Sequence, residues 1–335
     1  MANFLVTGGA GFIGSHFVEL CLRQGHRVAV LDALTYAGHK ENLEDVKGKF
    51  EFFHGDINDG PLVEKLLKQF DVDAVFNFAA ESHVDRSITG ASPFIMTNIL
   101  GTFVLLQECL KHYAAGKKPN FRYVQVSTDE VFGDLGPEGK FDEESPIKPH
   151  SPYSASKASA DHLVHAWNHT YGLPTVTTHC SNNYGPRQYP EKLIPFMIRS
   201  ALAGKNMGVY GDGSNVRDWI YVTDHCEGVL LAWEKGKLGE KYCFGGNCEK
   251  SNLVLVNLLA KILDEEKPKN GSFKDSIAFV KDRPGHDRRY AIDDRLARRE
   301  LGFKSEITDF EAGLRKTVQW YLKNGEWMKK VLEKE

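Results

Sequence analysis

The chain reads as an α/β protein, a Rossmann-type doubly wound parallel sheet carrying a smaller mixed α/β domain. Three observations predict this. Short apolar strands alternate with amphipathic helices through the first half of the chain. The first strand runs straight into Gly8-Gly9-Ala10-Gly11-Phe12-Ile13-Gly14, and the next ends on an acid, Asp32. Beyond residue 180 the alternation loosens into fewer strands and longer polar loops.

In chain order, Asn3 to Thr7 is a short apolar strand, and a helix follows the glycine loop to about Gln24, with Gly25 where a C′ glycine belongs. Arg27 to Leu31 is the second strand. Gly8 permits the tight turn, Gly11 lets the backbone approach a pyrophosphate at the helix N-terminus, and Gly14 allows close helix–strand packing. Strand, glycine loop, helix, strand and acid together indicate dinucleotide binding, with Gly8, Gly11, Phe12, Ile13 and Gly14 as candidate contacts. Asp32 can bond both hydroxyls of an adenosine ribose and would repel a 2′-phosphate, so NAD is expected rather than NADP.

Phe50 to Phe53 is the third strand, and the Asp56-Ile57 pair after it is placed to reach an adenine; Asp56 as a helix cap is an equal alternative. Pro61 to Phe70 is an amphipathic helix. Ala74 to Phe78 is the fourth strand, and the small residues Ala79, Ala80 and Ser82 after it let a cofactor lie close. Ser92-Pro93 opens a long helix to about Tyr113. The apolar run Phe121 to Val126 then leads into Thr128, Asp129 and Glu130, a hydroxyl and two carboxylates at the ligand-binding end of a buried strand. Ser151 reads as an N-cap and Pro152 as the first helical residue, which puts Tyr153 and Lys157 one turn apart on one face. Both also border the expected cofactor.

After a strand at Thr175 to Thr178, Ser181 to Pro186 is a polar loop and Glu191 to Pro195 opens a helix. Tyr210 to Gly213 turns into Val216 to Tyr221, and Trp320 to Lys334 is a charged amphipathic helix. The division expected is 1–178 plus about 215–242 as the NAD-binding domain, and 179–214 plus 243–335 as the substrate-binding domain.

Composition narrows the partners. With 335 residues, 41% hydrophobic, 26% charged and a net charge of −3, a nucleic-acid partner is not expected. An anionic ligand must be held by a few local Arg and Lys residues. No apolar run approaches a membrane span, and the N-terminus enters a strand at once, so neither membrane nor signal peptide is expected. The six cysteines form no CxxC pair and read as reduced thiols in a cytoplasmic protein. His83 and His286 lack metal-ligand spacing, so no metal is expected. Arg217 and Arg283 each abut an aspartate, Asp218 and Asp282; they are surface ion pairs or a bidentate grip on a diphosphate.

The GGAGFIG loop, AAESHVDRS, STDEVFG, YSASK, SNNYGP, PEKLIP, VRDWIYV and DRPGHDRRYAID, in that order, resemble the extended short-chain dehydrogenase/reductase family. Within it they resemble the nucleoside-diphosphosugar 4,6-dehydratases over nearly the whole chain. The glycine loop and Tyr-x-x-x-Lys are shared widely; the Asp-Glu pair after Thr128 is more specific, because related 4-epimerases generally lack it. The resemblance implies tightly held NAD, a nucleotide-sugar substrate with dTDP-glucose favoured, and a homodimer joined by the Pro93 and Pro152 helices of each subunit in a four-helix interface. It assigns substrate contacts to Asn182, Lys192, Leu193, Tyr210, Arg217, Asn252, Arg283 and His286. This chain departs from the family at Phe132, usually Tyr, and at Met207-Gly208, often Leu-Pro before Tyr210.

The implied reaction oxidises the sugar at C4, eliminates water across C5 and C6, and returns the hydride to C6. Tyr153 takes the C4 hydroxyl proton, Thr128 orients that oxygen, Glu130 removes the C5 proton, and protonated Asp129 releases the C6 hydroxyl. A tyrosine with a pKa of about 10 needs roughly 4 kcal/mol of favourable interaction to ionise near neutrality, and Lys157 with oxidised nicotinamide is expected to supply it. Crowding two carboxylates separates their pKa values, so one serves as acid and its neighbour as base. Other readings are a dehydratase of UDP-, CDP- or GDP-linked sugars, a 4-epimerase with no need of Asp129 and Glu130, or an idle NAD-binding scaffold or sensor.

Overall fold

The computed structural model describes residues 1–116, 118 and 120–333. Chain order begins with β1 (Asn3–Thr7), α1 (Phe12–Arg23), β2 (Arg27–Asp32), β3 (Glu51–His54), α2 (Gly60–Gln69), β4 (Ala74–Asn77), α3 (Val84–Thr89) and α4 (Ser92–Ala114). It continues with β5 (Arg122–Thr128), α5 (Pro152–Tyr171), β6 (Thr175–Cys180), β7 (Asn182–Tyr184), α6 (Leu193–Leu202), β8 (Met207–Tyr210), β9 (Val216–Tyr221) and α7 (Val222–Lys235). It ends with β10 (Lys241–Phe244), β11 (Glu249–Ser251), α8 (Asn252–Glu266), β12 (Ile277–Val280), α9 (Arg295–Leu301), α10 (Phe310–Lys323) and α11 (Gly325–Leu332).

Seven strands form one parallel sheet in the order β10-β6-β5-β4-β1-β2-β3. Apart from the edge strand β3, their residues are buried on both faces, as Leu5, Val6, Val30, Leu31, Val75 and Phe76 show, which is why these strands read as apolar runs rather than alternations. The chain starts at β1 and winds outward both ways, so strand order reverses between β1 and β4. A switch point of this kind opens a crevice beyond the strand ends. The second unit has a three-stranded mixed sheet, β11-β9-β7, and a parallel pair, β12-β8. A separate apolar core of α6, α8 and α10 residues, including Ile198, Leu259 and Leu314, supports it. The segment 215–242 is divided: β9 pairs in the small sheet, whereas α7 and β10 serve the large one.

Two expectations need correction. Helix α4 is long and apolar enough, by length and composition, to cross a membrane, contrary to the reading that no such run exists. It packs instead against the domain, burying Phe94, Asn98, Leu105, Leu106 and Cys109. The expected helix Trp320 to Lys334 is two, α10 and α11, broken at Asn324; Lys334 lies outside the described residues.

Candidate active site

One end of the crevice, where the cofactor is expected, is built by the loops after β1, β2, β3 and β4. Gly8 adopts φ 68 and donates its N–H to Leu31 O at 2.9 Å. A Cβ there would lie 2.6 Å from Ala79 N, so only glycine lets the β1 and β4 loops abut. A Cβ on Gly14 would lie 2.2 Å from Gly8 O, which fixes the close helix–strand approach. Gly11 is the N-cap of α1 and supplies no side-chain cap, and Phe12, Ile13 and Gly14 line the crevice. Uncapped first-turn N–H groups suit a pyrophosphate.

Asp32 is buried and accepts from Ala10 N and Leu34 N, both at 2.8 Å. Its carboxylate therefore stiffens the glycine loop as well as lining the crevice. Asp56 and Ile57 line it too, and the capping alternative for Asp56 falls away: Asp59 caps α2, accepting from Leu62 N at 3.0 Å, while Asp56 accepts from Asn58. Ala79, Ala80 and Ser82 complete this wall.

Thr97 and Glu81 also line the crevice and were not foreseen. Residues Ile95–Gly101 of α4 wind as a π-helix. In this wide turn Asn98 bonds the backbone N–H and C=O of Glu81 at 2.9 and 3.0 Å and Ser156 Oγ at 2.8 Å. A π segment leaves no mark on helical periodicity, although such bulges gather at functional sites.

At the other end β5 finishes on Thr128, and Asp129–Phe132 make a single 3₁₀ turn. Thr128 Oγ1 accepts from Glu130 N and donates to Asp129 Oδ1, both at 3.3 Å. Asp129 is 2% exposed, and its Oδ2 has no hydrogen-bond partner among the described residues. Burial pushes the Asp129 carboxyl well above the usual carboxylate range, and the charges of Glu130 and Asp218 push the same way. Burial raises Glu130 too, but Lys192, Arg283 and Arg217 pull it back. The pair is thus unequal, with Asp129 the proton holder.

Ser151 caps α5 in a reciprocal box with Ser154, and Pro152 opens the helix. This sets Tyr153 and Lys157 into the crevice wall. Lys157 Nζ donates to Val126 O at 2.7 Å. Burial, then the Glu130 charge, push the Tyr153 phenol up, opposite to the drop expected from Lys157. Phe132, the departure from the family, has its ring centroid 5.2 Å from Phe141 and 4.9 Å from His179, tilted against both.

Of the expected substrate contacts, Asn182 and Lys192 line the same crevice, and Lys192 Nζ donates to Ser82 O at 2.7 Å. Leu193, Tyr210, Arg217, Asn252, Arg283 and His286 lie outside its lining. Three of these form a neighbouring cluster. Arg283 Nη1 and Tyr210 OH both bond Asp85, at 2.8 and 3.2 Å, and His286 stands 6.1 Å from the Tyr210 ring. Both guanidiniums have partners other than the aspartate beside them, and Arg283 meets Asp282 through its backbone N–H at 2.8 Å. Arg217 lies 4.3 Å over the Tyr290 ring and donates to Val216 O and Asp287 O, while Asp218 accepts from Gly246 N and Cys248 N. Asn252 is buried with Oδ1 unpartnered among the described residues. Among those residues no group of three or more His, Cys, Asp or Glu is placed to hold a metal.

The family model described as GDP-mannose 4,6 dehydratase matches residues 5–317. A dTDP-glucose 4,6-dehydratase of Xanthomonas campestris pv. campestris is 53% identical, over 99% of this chain and 97% of that protein. The crystal structure of a dTDP-glucose 4,6-dehydratase from Streptomyces venezuelae with NAD and TYD bound superposes with a TM-score of 0.90 at 45% identity, covering 98% of this chain and 99% of that one. A Bacillus anthracis dTDP-glucose 4,6-dehydratase in complex with NAD gives a TM-score of 0.88 at 46% identity, covering 99% and 100%.

Proposed function

The chain belongs to the nucleotide-sugar 4,6-dehydratase family, and we propose that it converts dTDP-glucose to dTDP-4-keto-6-deoxyglucose and water with NAD as cofactor. The observation that carries this reading is the unequal pair of carboxylates, buried Asp129 and half-buried Glu130, in one crevice with Tyr153 and Lys157. A 4-epimerase needs the phenol and the lysine alone. A scaffold needs none of the four.

The glycine loop, Asp32, Asp56, Ile57, Ala79, Ala80 and Ser82 would hold the cofactor. When bound, NAD accepts the C4 hydrogen and gives it back at C6. Tyr153 takes the C4 hydroxyl proton as its phenolate, a form that burial and the Glu130 charge disfavour, so this step depends on the positive charge that Lys157 and bound NAD would supply. Glu130, with three cations near it, is the base for C5. Asp129 hands its proton to the departing C6 hydroxyl, and Glu130 returns a proton to C5. Tyr153 then holds the proton that Asp129 lacks, and the Thr128 hydroxyl, bonded to Asp129 and beside the phenol, connects the two.

Incubation with dTDP-glucose tests the reading: a 4-keto product and released water are expected, and a 4-epimer or unchanged substrate would contradict it. Nucleotide choice is the finer point. Met207 is buried, and Gly208 has Val280 side-chain atoms 3.3 Å from where its Cβ would be, so the β8–β12 pair is tight at the departure from the family. A thymine methyl in an apolar pocket is worth about 1–3 kcal/mol, so kcat/KM for dTDP-glucose should exceed that for UDP-glucose by roughly 10- to 200-fold. Equal values would refute the preference. Cofactor identity is read from denatured protein, which should release NAD; NADP would overturn the role given to Asp32.

The same reading makes the protein a cytoplasmic homodimer, built on α4 and α5 of each protomer. Ile95, Met96 and Leu100 on α4 are 47, 51 and 38% exposed, a cost that a second apolar helix pair removes. Light scattering should give twice the chain mass, and Met96→Glu should give the monomer. A wild-type monomer would contradict the four-helix interface.

A further inference from the structure

Behind the catalytic turn runs a row of hydrogen-bonded groups that the reaction scheme leaves unused. Tyr290 is 3% exposed, and its hydroxyl donates to Asp287 Oδ2. Asp287 Oδ1 lies 2.6 Å from His150 Nδ1. The Asp287 side chain is 9% exposed and that of His150 49%, so the row passes from the interior to solvent. Arg217 fixes its inner end, lying over the Tyr290 ring and donating to Asp287 O at 2.8 Å.

The inner end of the row also packs against the turn that carries Glu130. Tyr290 packs in one buried cluster with Val131 and Phe132, the residues that follow Glu130. Lys148 N donates to Val131 O at 3.0 Å, and a Cβ on Gly133 would come within 2.4 Å of Lys148 O, so the segment leading to His150 is pinned to the same turn. The Glu130 charge bears on the Tyr290 phenol, which burial and that charge keep protonated. A neutral phenol can accept a proton from one side while releasing its own on the other.

Resting on the dehydratase reading, the chemistry gives such a row a task. Glu130 carries the C5 proton from elimination until C5 is protonated again, and through that interval the sugar occupies the crevice that would otherwise admit water. We infer that Tyr290, Asp287 and His150 form a proton relay by which Glu130 exchanges its proton with solvent while the site is filled. One proton passes from Glu130 to Tyr290, from Tyr290 to Asp287, from Asp287 to His150 and out to water; the reverse passage restores Glu130. No bond to carbon changes and no co-reactant is needed.

The test is the isotope at C5. Wild type, His150→Gln and Tyr290→Phe are run for one turnover in D₂O with ordinary substrate, and the 4-keto product is examined at early times. Wild-type product should carry deuterium at C5 almost completely. Product from either variant should retain much of its original C5 hydrogen, because Glu130 returns the proton it took. The substituted His150 is half exposed, which leaves folding intact, and a merely structural role for Tyr290 would slow turnover without changing this ratio. Undiminished C5 deuterium in both variants overturns the relay. Failure of the wild type to make any 4-keto product would instead count against the reaction itself, so the two readings fail separately.

Discussion

Glu130→Gln and Asp129→Asn should still oxidise the sugar at C4 yet lose water slowly. Neither carboxylate is needed to move the C4 hydrogen, but the elimination needs one to take a proton and the other to give one. On mixing with dTDP-glucose, both variants should accumulate enzyme-bound reduced nicotinamide, seen by its absorbance, and it should decay slowly. Turnover should fall by roughly 100- to 10,000-fold for each lost proton-transfer group. Glu130→Gln should be the purer case, since its loss leaves the buried Asp129 proton in place. Near wild-type turnover with no such accumulation would show that the carboxylates have other work.

Tyr153→Phe should fail one step earlier. Little reduced nicotinamide should form, because the C4 hydroxyl keeps its proton. The loss should again lie in the range of about 100- to 10,000-fold, and the rapid-mixing trace separates this variant from the carboxylate pair. Because burial and Glu130 raise the Tyr153 phenol, Lys157→Met should show the same early block. A Tyr153→Phe enzyme that builds up reduced nicotinamide like Glu130→Gln would remove the phenol from the oxidation step.

The first half of this molecule is legible because its constraints are local. Gly8, Gly11 and Gly14 stand where backbone must approach backbone, and the distances at missing Cβ atoms record this. Strands buried on both faces write themselves as apolar runs, and the Ser151-Pro152 start of α5 is a cap that can be read directly. The turn at Asp129–Phe132 follows from its position at the end of β5. What sequence does not disclose depends on long-range packing. Asn98 reaches Glu81 because α4 widens into a π turn, Arg217 stacks on Tyr290 rather than pairing with Asp218, and Asp59 rather than Asp56 caps α2. The length and apolar composition of α4 run against the expectation that no segment approaches a membrane span, and whether such a helix faces lipid, core or a partner is decided only by what packs against it.

In the proposed reaction one hydrogen leaves C4 and returns to C6 of the same sugar, with proton transfer at C5 between. It is tested most directly with dTDP-glucose deuterated at C4, turned over by the wild-type protein in ordinary water in the presence of unlabelled substrate. The account predicts a 4-keto product whose deuterium sits at C6 of the molecules that began with it at C4. Deuterium lost to water, spread to molecules that began unlabelled, or returned to C4 of an epimer would contradict it.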